Sequence, residues 1–212
     1  MSRSKDRQRP MLLLLAAGRA RRFGRDKRQE LLCKGQTLLE ASVQSCARTG
    51  LEVLVCLSAR PDDDELAALL PGLGCASIRC SNSGMGMGAT LAQAVAAVPS
   101  GIPAVFVALA DMPLVRSDTL EALEAEQRRD RIVFPSYKGR QGHPVLFGSD
   151  YFSELTTLGG DRGARSLFQR YPDACREIPV SDPGVLLDMD TPDDHAQLAA
   201  RYRALNDSGA SG

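Results

Sequence analysis

The chain has 212 residues, 43% of them hydrophobic, and its 26 basic residues balance 26 acidic ones. This length and apolar content are enough for one domain with one sizeable core. A net charge of zero excludes an overall field that would draw the protein to nucleic acid or to an anionic membrane, so we expect neither partner. Any anion must be recognised by a local cluster of charge.

Six cysteines lie mostly in apolar segments, and no two of them form a CxxC pair. This pattern favours neither a zinc knuckle nor a disulfide framework, and it predicts reduced thiols in a cytoplasmic protein. Residues 1–10 are polar and are expected to form a disordered N-terminal extension. The domain is predicted to span residues 11–205, with a flexible tail over residues 206–212.

The first predicted element is a strand over residues 12–16, five consecutive apolar residues typical of a strand buried on both faces. It ends in arginines rather than at a small-residue cleavage site, which favours a buried strand over a secretory signal. Ala17 and Gly18 then allow a tight turn. Six cations follow, which we refer to as the basic segment: Arg19, Arg21, Arg22, Arg25, Lys27 and Arg28. Such a density of like charge predicts a polyphosphate ligand, and a solvated charged surface is the alternative.

Strands and helices alternate through the first two thirds of the chain. A capping box from Thr37 to Glu40 predicts a helix that ends near Gly50. Further strands are predicted over residues 51–57, 77–80, 104–110 and 131–134, and further helices from residue 61, after residue 88 and over residues 117–129. This order predicts an α/β fold, an open and mostly parallel sheet with helices on both faces.

The last third is less regular. We predict a turn over residues 137–142, strands over 145–147 and 185–190, and a helix over 163–170. Thr191 and Pro192 have the types expected at the N-cap and first position of a final helix.

Three polar features follow strands and should therefore meet at one edge of the sheet, where open α/β folds bind ligands. The first is the basic segment. The second is a glycine-rich loop over residues 81–88, which precedes a helix and so offers backbone N–H groups to an anion or a base. The third is a set of carboxylates, Asp111 after one strand and Asp188 with Asp190 near another.

The residues from Leu15 to Lys27 read LAAGxAxRFGxxK, which is neither a GxGxxG fingerprint nor a P-loop. The motif resembles the LAAGxSxRMGxxK signature of the molybdenum cofactor cytidylyltransferases and their MobA-like relatives. Other segments agree with this family in order: a Gly-Met-Gly loop (84–91), ALADMPLV (108–115), GRQGHPVLF (139–147), GGDRGARSLF (159–168) and DMDTPDD (188–194). The resemblance therefore extends over nearly the whole chain.

The resemblance implies a single-domain, Rossmann-like fold of the GT-A nucleotidyltransferase type. It also implies a reaction in which CMP passes from CTP to the phosphate of a molybdopterin-type cofactor, with release of pyrophosphate. The implied cofactor is Mg²⁺. CTP and the molybdopterin-type cofactor are the expected ligands, and a molybdoenzyme or its insertion chaperone is the expected protein partner.

Site residues are carried over from the same motifs. Arg22 and Lys27 would meet the triphosphate, and Asp111 would bind the metal. The second metal ligand is Asp190 or Asp188, of which Asp190 is favoured, and a helix-capping role is the alternative for Asp190. The remaining nucleotide contacts are expected from Ala16, Ala17, Gly18, Gly24, Ser83, Gly84 and Met85.

The acceptor contacts implied by the resemblance are His143, Asp161 and Arg165. For each, a structural role is the alternative: a packed histidine, and an ion pair between Asp161 and Arg165. For Met85 the alternative to contact with the base is a packing role, which is the one favoured for a methionine. Ala20 and Phe23 depart from the family signature, which has Ser and Met at these positions. The functional alternatives are transfer from GTP or to another phosphorylated acceptor, such as a sugar or isoprenoid phosphate, and a non-catalytic carrier of the molybdenum cofactor.

Overall fold

A sheet of parallel and antiparallel strands forms the centre of the molecule in the computed structural model, which describes residues 8–18, 26–33, 35–161 and 163–208. Within these residues the strands are β1 Met11–Leu15, β2 Leu31–Cys33, β3 Gln36–Thr37, β4 Val53–Ser58, β5 Ala76–Cys80, β6 Ala104–Leu109, β7 Ile132–Tyr137, β8 Arg140–Gln141, β9 Val145–Gly148 and β10 Cys175–Pro179. The α-helices are α1 Leu38–Ala47, α2 Asp64–Leu69, α3 Met87–Ala96, α4 Ser117–Ala125, α5 Phe152–Leu155, α6 Arg165–Arg170 and α7 Pro192–Ser208.

The strand order across the main sheet is β10-β7-β9-β6-β1-β4-β5, with β8 paired to β7. β1 lies between β6 and β4 and is parallel to both, with Leu14 opposite Ala108 on one side and Val55 on the other. β9 runs antiparallel to both of its neighbours, and the short β8 runs antiparallel to β7. The prediction of an open, mostly parallel α/β sheet is confirmed.

The side chains of β1 divide the core into two layers, because successive residues of a strand point to opposite faces. Leu12 and Leu14 pack in one cluster with Val43 of α1, and Leu13 packs in the other with Leu91 of α3. All three leucines have no exposed surface, and full burial of such a side chain contributes about 1.5–3 kcal/mol. Helices therefore cover both faces of the sheet, as predicted.

One predicted strand, over residues 185–190, is wrong. Pro183–Leu186 instead form a 3-10 helix, because Asp182 precedes it and its carboxylate accepts a hydrogen bond from the Gly184 N–H at 2.8 Å. Asp188 and Asp190 follow this helix in irregular backbone. The edge strand of the sheet next to β7 is β10. The sequence pattern did not predict this strand, because its residues are mostly exposed and so form no apolar run.

Two helices are shorter than predicted, and the chain ends differ from the predicted boundaries. α4 ends at Ala125, and α6 begins at Arg165. The capping box of α1 is present as predicted.

Within the predicted N-terminal extension, Arg9 pairs with Glu124 at 2.8 Å and donates to the carbonyls of Thr49 and Gly50. Residues 1–7 lie outside the described residues. At the other end, α7 continues three residues past the predicted boundary at 205.

All six cysteines are free thiols. Among the described residues, no helix has the length and apolar character needed to cross a bilayer.

Candidate active site

A cavity of about 890 Å³ opens at the carboxyl edge of the parallel strands. Four neighbouring strand ends border it, those of β6, β1, β4 and β5 in their order across the sheet. Its lining includes Ala16, Ala17, Gly18, Lys27, Arg28, Arg60, Ser83, Gly84, Met85, Gly86, Met87, Asp111 and Asp161. The structure thus brings together most of the predicted nucleotide contacts, whereas Arg22 and Gly24 lie outside the described residues.

Lys27, Asp111 and Asp190 form what we call the charged end of the cavity, together with Arg28. The Lys27 ammonium donates to Asp111 Oδ2 at 2.7 Å, to the Met189 carbonyl at 2.6 Å and to Asp190 Oδ1 at 3.2 Å. Three segments far apart in the chain therefore meet at one nitrogen atom. Of the two late aspartates, Asp190 is the one that joins this contact.

The carboxylates at this end shift the pKa values of Lys27 and Asp188. Burial alone lowers the pKa of Lys27, but Asp111 and Asp190 outweigh that effect and leave the pKa raised. The pKa of Asp188 is also raised, by partial burial and then by the negative charges of Asp111 and Asp190. Lys27 therefore stays protonated at neutral pH, and its single positive charge compensates part of the charge of the two carboxylates that it touches.

The donor set at the charged end suits a hard divalent cation only in part. Among the described residues, no three His, Cys, Asp or Glu side chains come together as a metal site of protein ligands alone. However, Asp111 Oδ1 is buried and has no hydrogen-bond partner. Since Mg²⁺ takes one or two carboxylates and completes its shell with phosphate oxygens and water, Asp111 and Asp190 fit such an ion when a nucleotide supplies the rest.

Arg28, which the sequence showed only as one more cation, is buried and fixes the position of its neighbour Lys27. Its guanidinium makes two hydrogen bonds to Asp63, at 2.6 and 3.0 Å, and donates to the Ala16 carbonyl at 2.7 Å. Asp26 accepts from the same group at 2.6 Å. Burial alone would raise the pKa of Asp63, but Arg28 and Ser58 outweigh it and lower the pKa. Arg28 thus ties the residues next to Lys27 to the ends of β1 and β4, and its charge is already compensated.

The opposite part of the cavity, which we call the glycine end, is formed by residues 83–88. Gly86 has φ +108°, and a Cβ there would lie 2.5 Å from both Asp161 Oδ1 and the Gly160 carbonyl oxygen. A Cβ at Gly88 would lie 2.7 Å from the Gly159 carbonyl oxygen, and the Gly88 N–H donates to the Gly160 carbonyl at 2.8 Å. The two glycine motifs therefore pack backbone against backbone, which places Asp161 at the cavity wall.

Two further features of the cavity lining bear on ligand recognition. Met85 and Met87 are 67% and 45% exposed, so neither is a core residue. Arg60, which follows β4, also lines the cavity, and its Nε–H is buried without a hydrogen-bond partner. Arg60 was not among the predicted site residues. The available signal was its position three residues after the predicted strand over residues 51–57, at the edge where a parallel sheet presents its ligand-binding residues.

The predicted acceptor residues do not share one location. His143 lies away from the main cavity and lines a much smaller one with Ser42 and Ser45. Its Nδ1 is buried without a partner, and burial lowers its pKa. Arg165 is exposed at the start of α6, outside the residues that line the cavity. The alternative ion pair between Asp161 and Arg165 does not form among the described residues.

Comparisons with known proteins agree with this geometry. The MobA-like NTP transferase domain matches residues 12–175. Nicotine blue oxidoreductase of Paenarthrobacter nicotinovorans is 29% identical over 188 residues, 84% of this chain and 91% of the relative. The crystal structure of Rv0371c in complex with manganese, from Mycobacterium tuberculosis H37Rv, is 26% identical with a TM-score of 0.71, over 91% of this chain and 98% of that one.

A third protein is similar in fold. It is a nucleotidyl transferase from Methanothermobacter thermautotroptrophicus, which is 20% identical with a TM-score of 0.80, over 93% of this chain and 99% of that one.

Proposed function

The chain belongs to the MobA-like NTP transferase domain family, and from this premise we propose that it transfers CMP from CTP to the phosphate of a molybdopterin-type cofactor in a reaction that depends on Mg²⁺. The observation that carries the proposal is the meeting of Lys27, Asp111 and Asp190 at the edge of a nucleotide-sized cavity. The LAAG form of the first motif resembles the cytidylyl branch of the family. The manganese in the Rv0371c structure supports a divalent cation in a relative of this size.

In the proposed reaction an oxygen of the acceptor's terminal phosphate attacks the α-phosphorus of CTP. The bond between that phosphorus and the oxygen bridging to the β-phosphate breaks, and pyrophosphate leaves with the bonding electrons. A phosphate monoester is already anionic near neutral pH, so the obstacle is repulsion between anions rather than removal of a proton. The work of the protein is therefore to position the reactants and to compensate their charge.

The residues of the cavity divide this work. Asp111 and Asp190 would hold the divalent cation, which supplies charge neutralisation to the phosphate oxygens when it is bound. Lys27 would meet the triphosphate as a point charge. The glycine end would receive the nucleoside, where Met85 and Met87 offer apolar surface to the base and Arg60 offers an unused hydrogen-bond donor.

The test is to incubate the purified protein with Mg²⁺, molybdopterin-type cofactor and each of CTP, GTP, ATP and UTP in turn, and to measure pyrophosphate. We expect release that is fastest with CTP and that disappears when the acceptor is omitted. Pyrophosphate release with GTP instead of CTP would change the assigned nucleotide. Release only with a sugar or isoprenoid phosphate would change the assigned acceptor. Tight cofactor binding without any pyrophosphate would favour a carrier.

A second candidate function rests on the name of the Paenarthrobacter relative, which is an oxidoreductase. The corresponding reaction would be the oxidation or reduction of a coloured organic substrate, and a reduced nicotinamide nucleotide is the electron donor that we would supply in its test. Such a reaction gives no role to the carboxylates at the charged end. It should survive replacement of Asp111 by Asn, whereas nucleotidyl transfer should not. The test follows the absorbance of the reduced nicotinamide nucleotide in the presence of a quinone-like dye. A decrease at equal rates in the wild type and in Asp111→Asn would favour the second candidate.

A further inference from the structure

We propose that the carboxylate pair of Asp111 and Asp190 holds one cation at a time, the Lys27 ammonium before a nucleotide binds and a divalent cation afterwards. This inference rests on the proposed function, because it concerns how the metal reaches the site. Its consequence is that the protein alone binds divalent metal weakly, and that nucleotide binding creates the metal site.

The geometry around Lys27 supports this exchange. Two carboxylate oxygens and one carbonyl oxygen lie 2.6–3.2 Å from its nitrogen, and these are the same kinds of ligand that a hard divalent cation selects. The Lys27 side chain is 14% exposed, against 21% for Asp111. The ammonium thus contacts both carboxylates, while Asp111 Oδ1 is buried without a hydrogen-bond partner.

Charge makes simultaneous occupation unfavourable. A divalent ion between Asp111 and Asp190 would lie within a few ångströms of the Lys27 ammonium, and like charges at such a distance repel strongly in a partly buried site. A triphosphate changes this balance because it offers the ammonium new anionic partners. Lysine suits such a move, since its charge is carried on a flexible stem of four carbons. By linkage, whatever draws Lys27 from the pair strengthens metal binding.

The first experiment measures Mn²⁺ binding by electron paramagnetic resonance, without nucleotide, in the wild type and in Lys27→Met and Lys27→Gln. Both variants remove the competing charge and keep a side chain of similar length. We expect each to bind Mn²⁺ about tenfold more tightly than the wild type, the size of effect that follows when a charge-assisted hydrogen bond no longer has to be broken. The matched control is Lys138→Met, which removes a charge outside the cavity and should leave the affinity unchanged.

Equal affinities in the wild type and both Lys27 variants would overturn the inference, and so would an increase in Lys138→Met of the same size. Neither result touches the proposed reaction, which is decided by pyrophosphate release from the wild type. Conversely, a wild type that releases no pyrophosphate leaves the comparison of Mn²⁺ affinities valid.

A second experiment observes the Lys27 ammonium itself in the wild type. The chain has four lysines, and the side-chain ammonium signal of the ¹⁵N-labelled protein that is missing from Lys27→Met belongs to Lys27. We expect the Lys27 signal to be unaffected by millimolar Mg²⁺ alone and to shift when Mg²⁺ and a non-hydrolysable CTP analogue are present together. A shift of equal size with Mg²⁺ alone would show that the metal displaces Lys27 without help, and the inference would fail.

Discussion

The charged end and the glycine end of the cavity are built on opposite principles. At the charged end, position is set by attraction: Lys27 and Arg28 are each held by two carboxylates, and each meets at least one that is far away in the chain. At the glycine end, position is set by the absence of side chains, which lets residues 86–88 approach residues 159–161 backbone to backbone. This difference predicts what a substitution does at each end. At the charged end, the loss of a charge should lower turnover or leave a buried partner without its counter-charge. At the glycine end, an added methyl group should force the two loops apart and lower the stability.

The largest effect is expected at Asp111, on turnover. Asp111→Asn keeps the shape of the side chain but weakens metal binding, and we expect kcat for pyrophosphate release to fall about 10⁴-fold, equivalent to about 5 kcal/mol of transition-state stabilisation. Asp173→Asn, an exposed site far along the chain, is the control and should retain wild-type kcat. If kcat of Asp111→Asn stays within threefold of the wild type, Asp111 is not a metal ligand in the reaction.

The second effect tests whether Arg28 anchors the residues next to Lys27. Arg28→Met leaves Asp63 buried without its counter-charge, and we expect the free energy of unfolding to fall by about 3–5 kcal/mol. Arg128→Met breaks an ion pair of which both members are more than half exposed, so its cost should be below about 1 kcal/mol. Urea unfolding of the three proteins gives the comparison. Similar losses in both variants would mean that the Arg28 network is no more stabilising than a surface pair.

The third effect belongs to the glycine end. Gly86→Ala places a Cβ into the Gly160 backbone at a φ that alanine rarely adopts, so we expect a loss of about 2–4 kcal/mol in unfolding free energy. Gly84→Ala is the matched control, because its Cβ would have nothing within 4 Å and its φ is not positive. A loss in Gly84→Ala as large as that in Gly86→Ala would show that the loops do not depend on close backbone approach.

The parallel sheet and the location of the site could be predicted from the sequence. Hydrophobic runs such as the one in β1 predicted the parallel sheet, because a strand buried on both faces needs consecutive apolar residues. The carboxyl edge of that sheet then placed Asp111 and the glycine loop together. The predicted strand over residues 185–190 failed because the apolar run is equally consistent with a buried 3-10 helix, and the deciding contact is made by Asp182, which lies before the run.

The pairings within the site could not be predicted from spacing. Arg28 and Asp63 are 35 residues apart, and Lys27 and Asp190 are 163 apart. Nothing in the basic segment distinguishes the cation that meets a carboxylate in the core from those that meet solvent or a ligand. Close approach of two glycine loops is likewise a property of the folded backbone. The glycine-rich pattern of residues 81–88 predicted only accessible backbone N–H groups.

The next prediction concerns the pH dependence of the stability that Asp63 contributes beside the charged end. The folded-state pKa of Asp63 is lowered, so its contribution to stability is fully present above the ordinary carboxyl pKa near 3.9 and is lost as the pH falls through the lower folded-state value. We therefore expect the wild type to lose its stability advantage over Asp63→Asn between about pH 5 and pH 2. Urea unfolding across that range measures it. A difference between the two proteins that stays constant over the whole range would contradict the assignment.

The smallest effect is expected at Arg60, which lines the same cavity. Its guanidinium carries a buried Nε–H without a hydrogen-bond partner, whereas Lys27 and Arg28 already meet carboxylates. If Arg60 binds the nucleotide equally in the ground state and the transition state, Arg60→Met should raise KM for the nucleotide about tenfold and leave kcat unchanged.

The control is Arg129→Met, which removes an exposed arginine outside the cavity and should change neither constant. A fall in kcat at constant KM in Arg60→Met would instead place Arg60 with the charged end, among the groups that act on the transition state. An unchanged KM and kcat would mean that its buried donor is satisfied by water, and the nucleoside would then be recognised by the glycine end alone.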